Sequence, residues 1–435
     1  MARSNGDAAK RPEAAGLGQL PPELLANIHD RLEFLDRIAF ATVFAASCGC
    51  DDDNIFSPPA PWLLLTGEKN KDSATATLFS FADRRAATVR ASDPAMRGHL
   101  VIGSSRGWLA TADDSGQIYV VNPATGEQRA FPDINTMGVF LPSTDDLWSF
   151  KVWIERFLTA RFGGGPPFPD NGCGPERDGE TTFHGWEMGT RFYRKVILAI
   201  GRCPESHAAM LILNRKFGAP AFATAEDGGA WRLAPSPDGV EDAIHHDGRF
   251  HSVSYWGVVE AWERDAESGA YTSTAVAPRL LTIVGNIGGK ERKSPCKYLA
   301  AAPDGRLMVV VKHVQIQLAK HEWHRWLDMR RWAFKVHVLG DDGQWRDIGN
   351  AALFVGVNNS LCMHREKDMD YSDDDDERDG HVVDEDVGVY SFKEVQAVGV
   401  YSLKDGTVKK IGGLNRQTYR SFTYTPPVWI TPSIP

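Results

Sequence analysis

The residues best placed to do chemistry fall in two short stretches. In HEWHRWLDMRRW, His321 and His324 stand three apart among Trp323, Trp326 and Trp332. Two imidazoles at that spacing supply one side of a metal site, but no cysteine or carboxylate pattern completes the ligand set. The stretch reads better as an aromatic-rich helix or loop packed on a sheet. In DDERDGHVVDED, Asp375, Glu377 and Asp379 take positions 1, 3 and 5 of a calcium loop, with Gly380 at 6, Val382 at 8 and Asp386 at 12. Such a loop normally ends on glutamate and runs into a helix, whereas VGVYSF follows here with the pattern of a strand. A solvated acidic insertion fits this run better, because like charges so dense repel one another. The sequence holds no phosphate-binding Gly-x-x-x-x-Gly-Lys loop, no Gly-x-Ser-x-Gly elbow and no His-Glu-x-x-His. The expectation is a protein with no catalytic residues, no metal and no cofactor.

Composition narrows the class. The 435 residues are long enough for two or three domains or one large repeat domain. A net charge of −9 gives no support to general nucleic-acid binding, which leaves a basic footprint. No apolar run approaches the roughly 18 to 20 residues a membrane-spanning helix needs. Residues 1–18 lack the apolar core of a secretory signal and read as a disordered leader; Asp7 and Glu13 argue against an organellar transit peptide without removing that alternative. The six cysteines are Cys48, Cys50, Cys173, Cys203, Cys296 and Cys362. Their scatter matches neither a disulfide framework nor a structural zinc site. Reduced thiols point to the cytoplasm or nucleus.

The elements that would position any site change character along the chain. In LPPELLANIHDRL, Leu24, Leu25, Ile28 and Leu32 share a helical face. Pro21 and Pro22 suit a helix start, where a missing N–H costs nothing, and Glu23 complements the positive end of the dipole. A second short helix is expected in LDRIAFATVF, with Asp36 as its cap and Ile38, Ala39 and Val43 on its apolar side. Two helices this short make no core alone, so they need the rest of the chain or a partner. After the turn-rich linker 51–61 the pattern becomes short strands: PWLLLTG, QIYVVNP, KVILAI, AAMLILN, RFHSVSYWG, VVEAWER, RLMVVVKH, FKVHVLG, ALFVGV, VGVYSL and VWITPSI. Asp-Gly occurs eight times, for example at Asp247-Gly248, Asp304-Gly305, Asp342-Gly343 and Asp405-Gly406. Such pairs adopt the positive φ that tight hairpins require. A loosely repeating strand–turn–strand unit predicts antiparallel sheets arranged radially over 62–435: a mainly β, propeller-like domain of six or seven blades, with a pair of β-sandwiches as the alternative. Loop insertions are expected at 163–180, rich in Gly and Pro, and at the acidic 368–386.

The opening stretch, LPPELLANIHDRLEFLDRIAFATV, resembles an F-box. PPAPWLLL, GSSRGWLATADDSGQIYVVNPATGEQ, DAIHHDGRFHSVSYWGVVEAWE and the closing PPVWITPSI resemble the plant F-box family that carries a KIB-type β-propeller. The resemblance spans nearly the whole chain from Leu20. It implies an F-box over 19–50 that docks on an SKP-type adaptor, and through it on a cullin–RING ubiquitin ligase, while the propeller recruits a protein substrate. Leu20, Pro21, Glu23, Leu24, Leu25, Ile28, Leu32, Asp36, Ile38 and Val43 match the F-box pattern and would form or support the adaptor contact. The sequence departs from the family after Val43. Where a Cys and a Trp commonly lead into a third helix, Phe44 and Cys48 are followed by Gly49 and Asp51–Asp53, which disfavour a helix.

Three readings follow. The first is a non-catalytic substrate receptor of a ubiquitin ligase, with no nucleic acid and no membrane among its partners. The second is a propeller binding module whose F-box no longer works, in an organelle in one version. The third is an enzyme, such as a glycosidase, whose distant carboxylates converge about 5 to 10 Å apart in the central channel. Of the 13 tryptophans, most are expected to pack blades, as in GWLATA, AWRLAP and GQWRDIG, and a few to serve as surface anchors.

Overall fold

The computed structural model describes residues 20–32, 36–37, 39–40, 62–65, 75–80, 85–123, 125–141, 149–163, 180–201, 207–224, 229–280, 296–302, 304–316, 330–340, 345–346, 351–355, 360–364, 386–390, 398–402, 408–410 and 428–430. The leader, the linker 51–61, most of both expected insertions, His321, His324 and the calcium-like run before Asp386 lie outside them.

Helix α1 (Pro22–Arg31) forms where the apolar spacing predicts it, with Pro21 in front of it and Pro22 in its first turn. Glu23 lies in that first turn and Arg31 in the last, each at the dipole end that favours its charge. Residues 36, 37, 39 and 40 are helical too. Asp36 is thus part of the helical backbone rather than a cap in front of it.

Every apolar run read as a strand is one. The first sheet holds β1 (Trp62–Leu65), β2 (Thr75–Ser80) and β3 (Arg85–Arg90). The second holds β4 (Leu100–Ser105), β5 (Trp108–Ala112), β6 (Ile118–Val121) and β7 (Gln128–Ala130). A three-stranded sheet follows, of β8 (Phe140–Leu141), β9 (Ser149–Trp153) and β10 (Glu180–His184). Next come β11 (Tyr193–Ala199), β12 (Ala208–Leu213), β13 (Ala221–Thr224) and β14 (Arg232–Leu233), then β15 (Val240–His246), β16 (Arg249–Ser254), β17 (Val259–Arg264) and β18 (Tyr271–Ala277). The sixth sheet has β19 (Cys296–Ala301), β20 (Leu307–Ile316), β21 (Arg330–Leu339) and β22 (Trp345–Arg346). The seventh has β23 (Ala351–Val355), β24 (Leu361–His364), β25 (Asp386–Tyr390), β26 (Val398–Ser402) and β27 (Val408–Lys410). Finally β28 (Val428–Ile430) returns to pair antiparallel with β1, with Trp62 opposite Ile430, and becomes the edge strand of the first sheet.

All these pairings are antiparallel except β23 with β25. The meander is what tight turns between consecutive strands produce. At Asp247-Gly248 both residues have positive φ (49° and 72°), as the sequence predicts for a two-residue hairpin. Arg330–Trp332 open β21, so the end of HEWHRWLDMRRW is strand rather than helix or loop. Asp386 likewise starts β25 rather than closing a loop.

The buried apolar clusters lie between sheets rather than within one. Trp62, Leu64 and Leu78 of the first sheet pack with Val101, Leu109 and Val121 of the second. Ile197, Met210 and Phe222 meet Val240, Phe250 and Trp262 of the next sheet. Ile244, Val253 and Val259 meet Leu299, Val309 and Val311. These sheets therefore share faces with their neighbours, the packing that a radial arrangement demands. The first strands of successive sheets run side by side: β28 beside β4, β4 beside β11, β11 beside β15, β15 beside β19. The β4–β11 approach is so close that a Cβ on Gly103 would land on the carbonyl oxygen of Val196. The three-stranded sheet is bypassed by this line. It adds two helices that the sequence reading did not foresee, α2 (Ile154–Arg161) and α3 (Gly185–Arg191). Phe157 of α2 joins Phe183, Phe192 and Phe217 in a cluster of aromatic rings between the inserted sheet and its successor.

Candidate functional sites

Two regions stand out: the outer side of α1 and the starts of β11, β15 and β19. On α1, Leu25 is fully buried and His29 nearly so, while Leu24 is 52% and Ile28 38% exposed. Leu25 and His29 are one turn apart, as are Leu24 and Ile28, so the helix has an inward stripe and an outward one. Leu20, just ahead of the helix, is also exposed, as are Pro21, Glu23 and Asp36, and Leu32 is half-buried. The Arg37 Nε–H donates to the Leu32 carbonyl at 3.0 Å, tying the second helical stretch to the end of the first. Ile38 and Val43 lie outside the described side chains. Burying Leu25 contributes about 1.5–3 kcal/mol; covering Leu24 and Ile28 would add to that only in the presence of a partner.

The second region is built by three strand starts with related sequences: Tyr193-Arg194-Lys195, Val240-Glu241-Asp242 and Cys296-Lys297-Tyr298. The register slips between Tyr193 and Lys195 and again between Val240 and Asp242. Each slip leaves a middle residue, Arg194 or Glu241, outside the ladder, which is how a bulge re-aims a side chain. Lys195 and Asp242, both buried, pair at 2.5 Å. Lys297 and Glu241, both buried, pair at 2.9 Å. Lys297 Nζ also donates to the Tyr255 carbonyl, and Asp242 accepts the Leu299 N–H. Arg194 Nε–H donates to the Glu241 carbonyl at 2.7 Å, while its terminal nitrogen stays 3.9 Å from the Glu241 carboxylate. Burial holds the Glu241 carboxyl above its ordinary range, against the pull of Lys297 and Arg194. Burial likewise holds Lys195 below the usual lysine range, with Asp242 opposing. Both carboxylates are engaged by lysines, so this charged mouth ties three sheets together, with Arg194 partly exposed beside it.

At the opposite end of these strands, His245, His246 and His251 gather beside the β15–β16 turn. His246 Nε2 lies 2.7 Å from the Gly305 carbonyl oxygen of the next sheet. A cleft of about 310 Å³ opens there, lined by Ile200, His245, Arg249, Trp262, Arg264 and Tyr271 among others. Burial, with Arg106 adding repulsion, pushes the His245 imidazole down to about 4. Among the described residues no three or more His, Cys, Asp or Glu side chains are placed to hold a metal ion together, and no helix is long and apolar enough to cross a membrane. Trp108, Trp231 and Trp262 are buried packing residues, whereas Trp186 and Trp256 are about 60% exposed on the surface.

The KIB1-4 beta-propeller family model matches residues 78–391. The chain belongs to that family. Its β-propeller domain thus covers the sheets from β2 through β25, including the charged mouth and the histidine end. No curated protein matches. Among solved structures, the chain is similar to a putative 6-phosphogluconolactonase from Bacteroides uniformis, with 10% identity, 82% of each chain covered and a TM-score of 0.31. A second putative 6-phosphogluconolactonase, from Bacteroides fragilis, gives 11% identity, 88% of this chain and 99% of that one, at 0.32. The RRP9 WD40 repeats give 12%, 71% and 86%, at 0.28. Scores this low carry no argument about function.

The sequence-matched adaptor residues are brought together only in part: Leu24 and Ile28 share an exposed apolar side, Leu20 is exposed ahead of the helix, and Leu25 is buried. The charged mouth was missed. Its partners are 47 and 56 residues apart in the chain, and the available signal was the charge recurring at the second or third residue of three strand starts.

Proposed function

We propose that the protein is a non-catalytic substrate receptor of a cullin–RING ubiquitin ligase, with α1 docking on an SKP-type adaptor and the propeller holding a protein substrate. The observation that carries this reading is the outward stripe of α1. A helix that buries Leu25 and His29 and leaves Leu24 and Ile28 exposed has the form of an amphipathic recognition helix awaiting a groove. The F-box resemblance of LPPELLANIHDRL supports the same assignment, as does membership of a propeller family. We take the propeller to have six blades, with the three-stranded sheet as an insertion ahead of β11, and the protein to work in the cytoplasm or nucleus.

The test is a pull-down of the full chain with an SKP-type adaptor, beside the double variant Leu24→Asp with Ile28→Asp. Both side chains are exposed, so the variant should keep its fold and lose the adaptor. Equal capture of both forms would remove α1 from the contact. A second reading, a binding module with a non-functional F-box, draws on Gly49 and the Asp51–Asp53 run that interrupt the F-box pattern. Failure of the wild-type chain to bind the adaptor would favour it.

A further inference from the structure

Beside the paired charges of the mouth lies a group of arginines whose one carboxylate contact among the described residues, Arg194 with Glu241, is long. Arg161 at the end of α2, Arg194 in the β11 bulge and Arg215 in the β12–β13 turn come from three separate elements and gather around Tyr255. The guanidinium of Arg215 sits 4.7 Å from the centre of the Tyr255 ring and that of Arg194 5.7 Å. Arg161 is seated more elaborately. Its Nε and a terminal nitrogen donate to the Pro237 carbonyl at 3.2 and 3.0 Å. Its guanidinium occupies room that two glycines with positive φ leave open: a Cβ on Gly218 would stand 2.6 Å from it, and one on Gly239 would stand 3.1 Å from both Arg161 and Tyr255. Asp238 and Glu241 are near, but among the described residues the closest carboxylate contact of the three is the 3.9 Å approach of Glu241 to Arg194. The Tyr255 hydroxyl is buried and finds no hydrogen-bond partner among the described residues. Next along the turn, Trp256 is 57% exposed, with Arg279 5.6 Å from its ring and donating to its backbone carbonyl.

In a chain of net charge −9, three guanidinium groups gathered with only one long carboxylate contact among the described residues are a local reversal of sign. Guanidinium is weakly hydrated and forked, which suits it to grip the several oxygens of a tetrahedral anion. Holding Arg161 in a two-glycine cradle removes the side-chain freedom it would otherwise lose on binding. We infer that the arginines Arg161, Arg194 and Arg215 form a binding site for a phosphorylated serine or threonine side chain of a partner protein, with exposed Trp256 as an adjoining apolar anchor. The inference deepens the receptor reading, on which it rests for the partner being a protein. A carboxylate side chain offers two oxygens and one charge, and so engages fewer of the three forks than a phosphate does.

The experiment uses the full chain immobilised against a degenerate library of phosphoserine and phosphothreonine peptides, the same library after phosphatase treatment, and a matched aspartate library. The expected result is selective retention of the phosphorylated library, at least tenfold over the other two. The variant Arg194→Gln with Arg215→Gln, both at or near the surface, should lose that selectivity while still being captured by the adaptor through α1. Loss of adaptor capture by the wild-type chain would overturn the ligase reading and leave the peptide result standing by itself. Equal retention of the three libraries, or unchanged retention by the variant, would overturn the phosphate site. Calorimetry with inorganic phosphate supplies the last arm: affinity for the free anion equal to that for the retained peptides would make this a site for free phosphate and overturn the peptide assignment.

Discussion

At the starts of β11, β15 and β19 four charged side chains are buried in lysine–carboxylate pairs, whereas at the far end of β15 three imidazoles are held among backbone carbonyls and aromatic rings. The two ends lie on the same strands and face the same packing demand. Lysine and carboxylate groups are charged at neutral pH in water, so burying them as ions costs free energy that a partner must offset. Histidine can give up its proton, and burial drives it to do so. Asp242 meets Lys195 and the Leu299 N–H, while His245 rests edge-on against Phe250. One end is locked by mutual charge; at the other, burial disfavours the charged forms of His245 and His251.

The largest effect should come from breaking a pair at the locked end. Lys297→Ala leaves Glu241 buried without its lysine and should cost about 3–5 kcal/mol, read as a fall in the unfolding midpoint. Replacing Lys195 and Asp242 together by Met and Leu should cost much less than Asp242→Ala alone, and equal losses would show that the pairing is not what matters. Next in size, Gly103→Ala forces β4 away from β11 and should cost about 1–3 kcal/mol. Because that contact exists only if the three-stranded sheet is bypassed, a neutral result would redraw the ring. Acid should act on the histidine end. The folded His245 pKa of about 4 lies below the ordinary value of 6.5, so between these values the unfolded chain binds the proton and the folded one does not. Stability is therefore full above pH 6.5 and falls as the pH drops toward 4, by about 1–2 kcal/mol once the partial exposure of the ring is discounted. His251 is shifted in the same direction by burial. His245→Gln should flatten the slope, measured as midpoint against pH. The smallest effect is expected at neither end: Leu24→Asp with Ile28→Asp should move stability by no more than about 0.5 kcal/mol, which is what qualifies it as a probe of binding.

The strands were legible because each depends on local pattern. AAMLILN and RFHSVSYWG carry enough apolar residues to declare buried strands, and Asp247-Gly248 declares the turn ahead of one of them. The helix α1 was legible for the same reason. Helices α2 and α3 were not, because IERFLTAR and GWEMGTR are short, and their packing against the inserted sheet outweighs weak helical signals such as Gly185 and Gly189. Gly185 is there because a Cβ would strike the Asp114 carbonyl, and Gly189 because one would strike Leu100; both are packing reasons that no local pattern reveals. The charged mouth was hidden by distance. Arg194, Glu241 and Lys297 each look like a solvated residue at a strand start until three sheets are brought side by side.

The pairing of Ile430 with Trp62 has a consequence in time. On the ribosome the partner strand of β1 emerges only after β2 to β27, so the first sheet must wait, one edge bare, while its successors form. A nascent chain that stalls short of residue 428 presents that open edge to whatever is nearby. A truncation upstream of residue 428 should therefore be felt at β1, far away in sequence, as an unfastened ring.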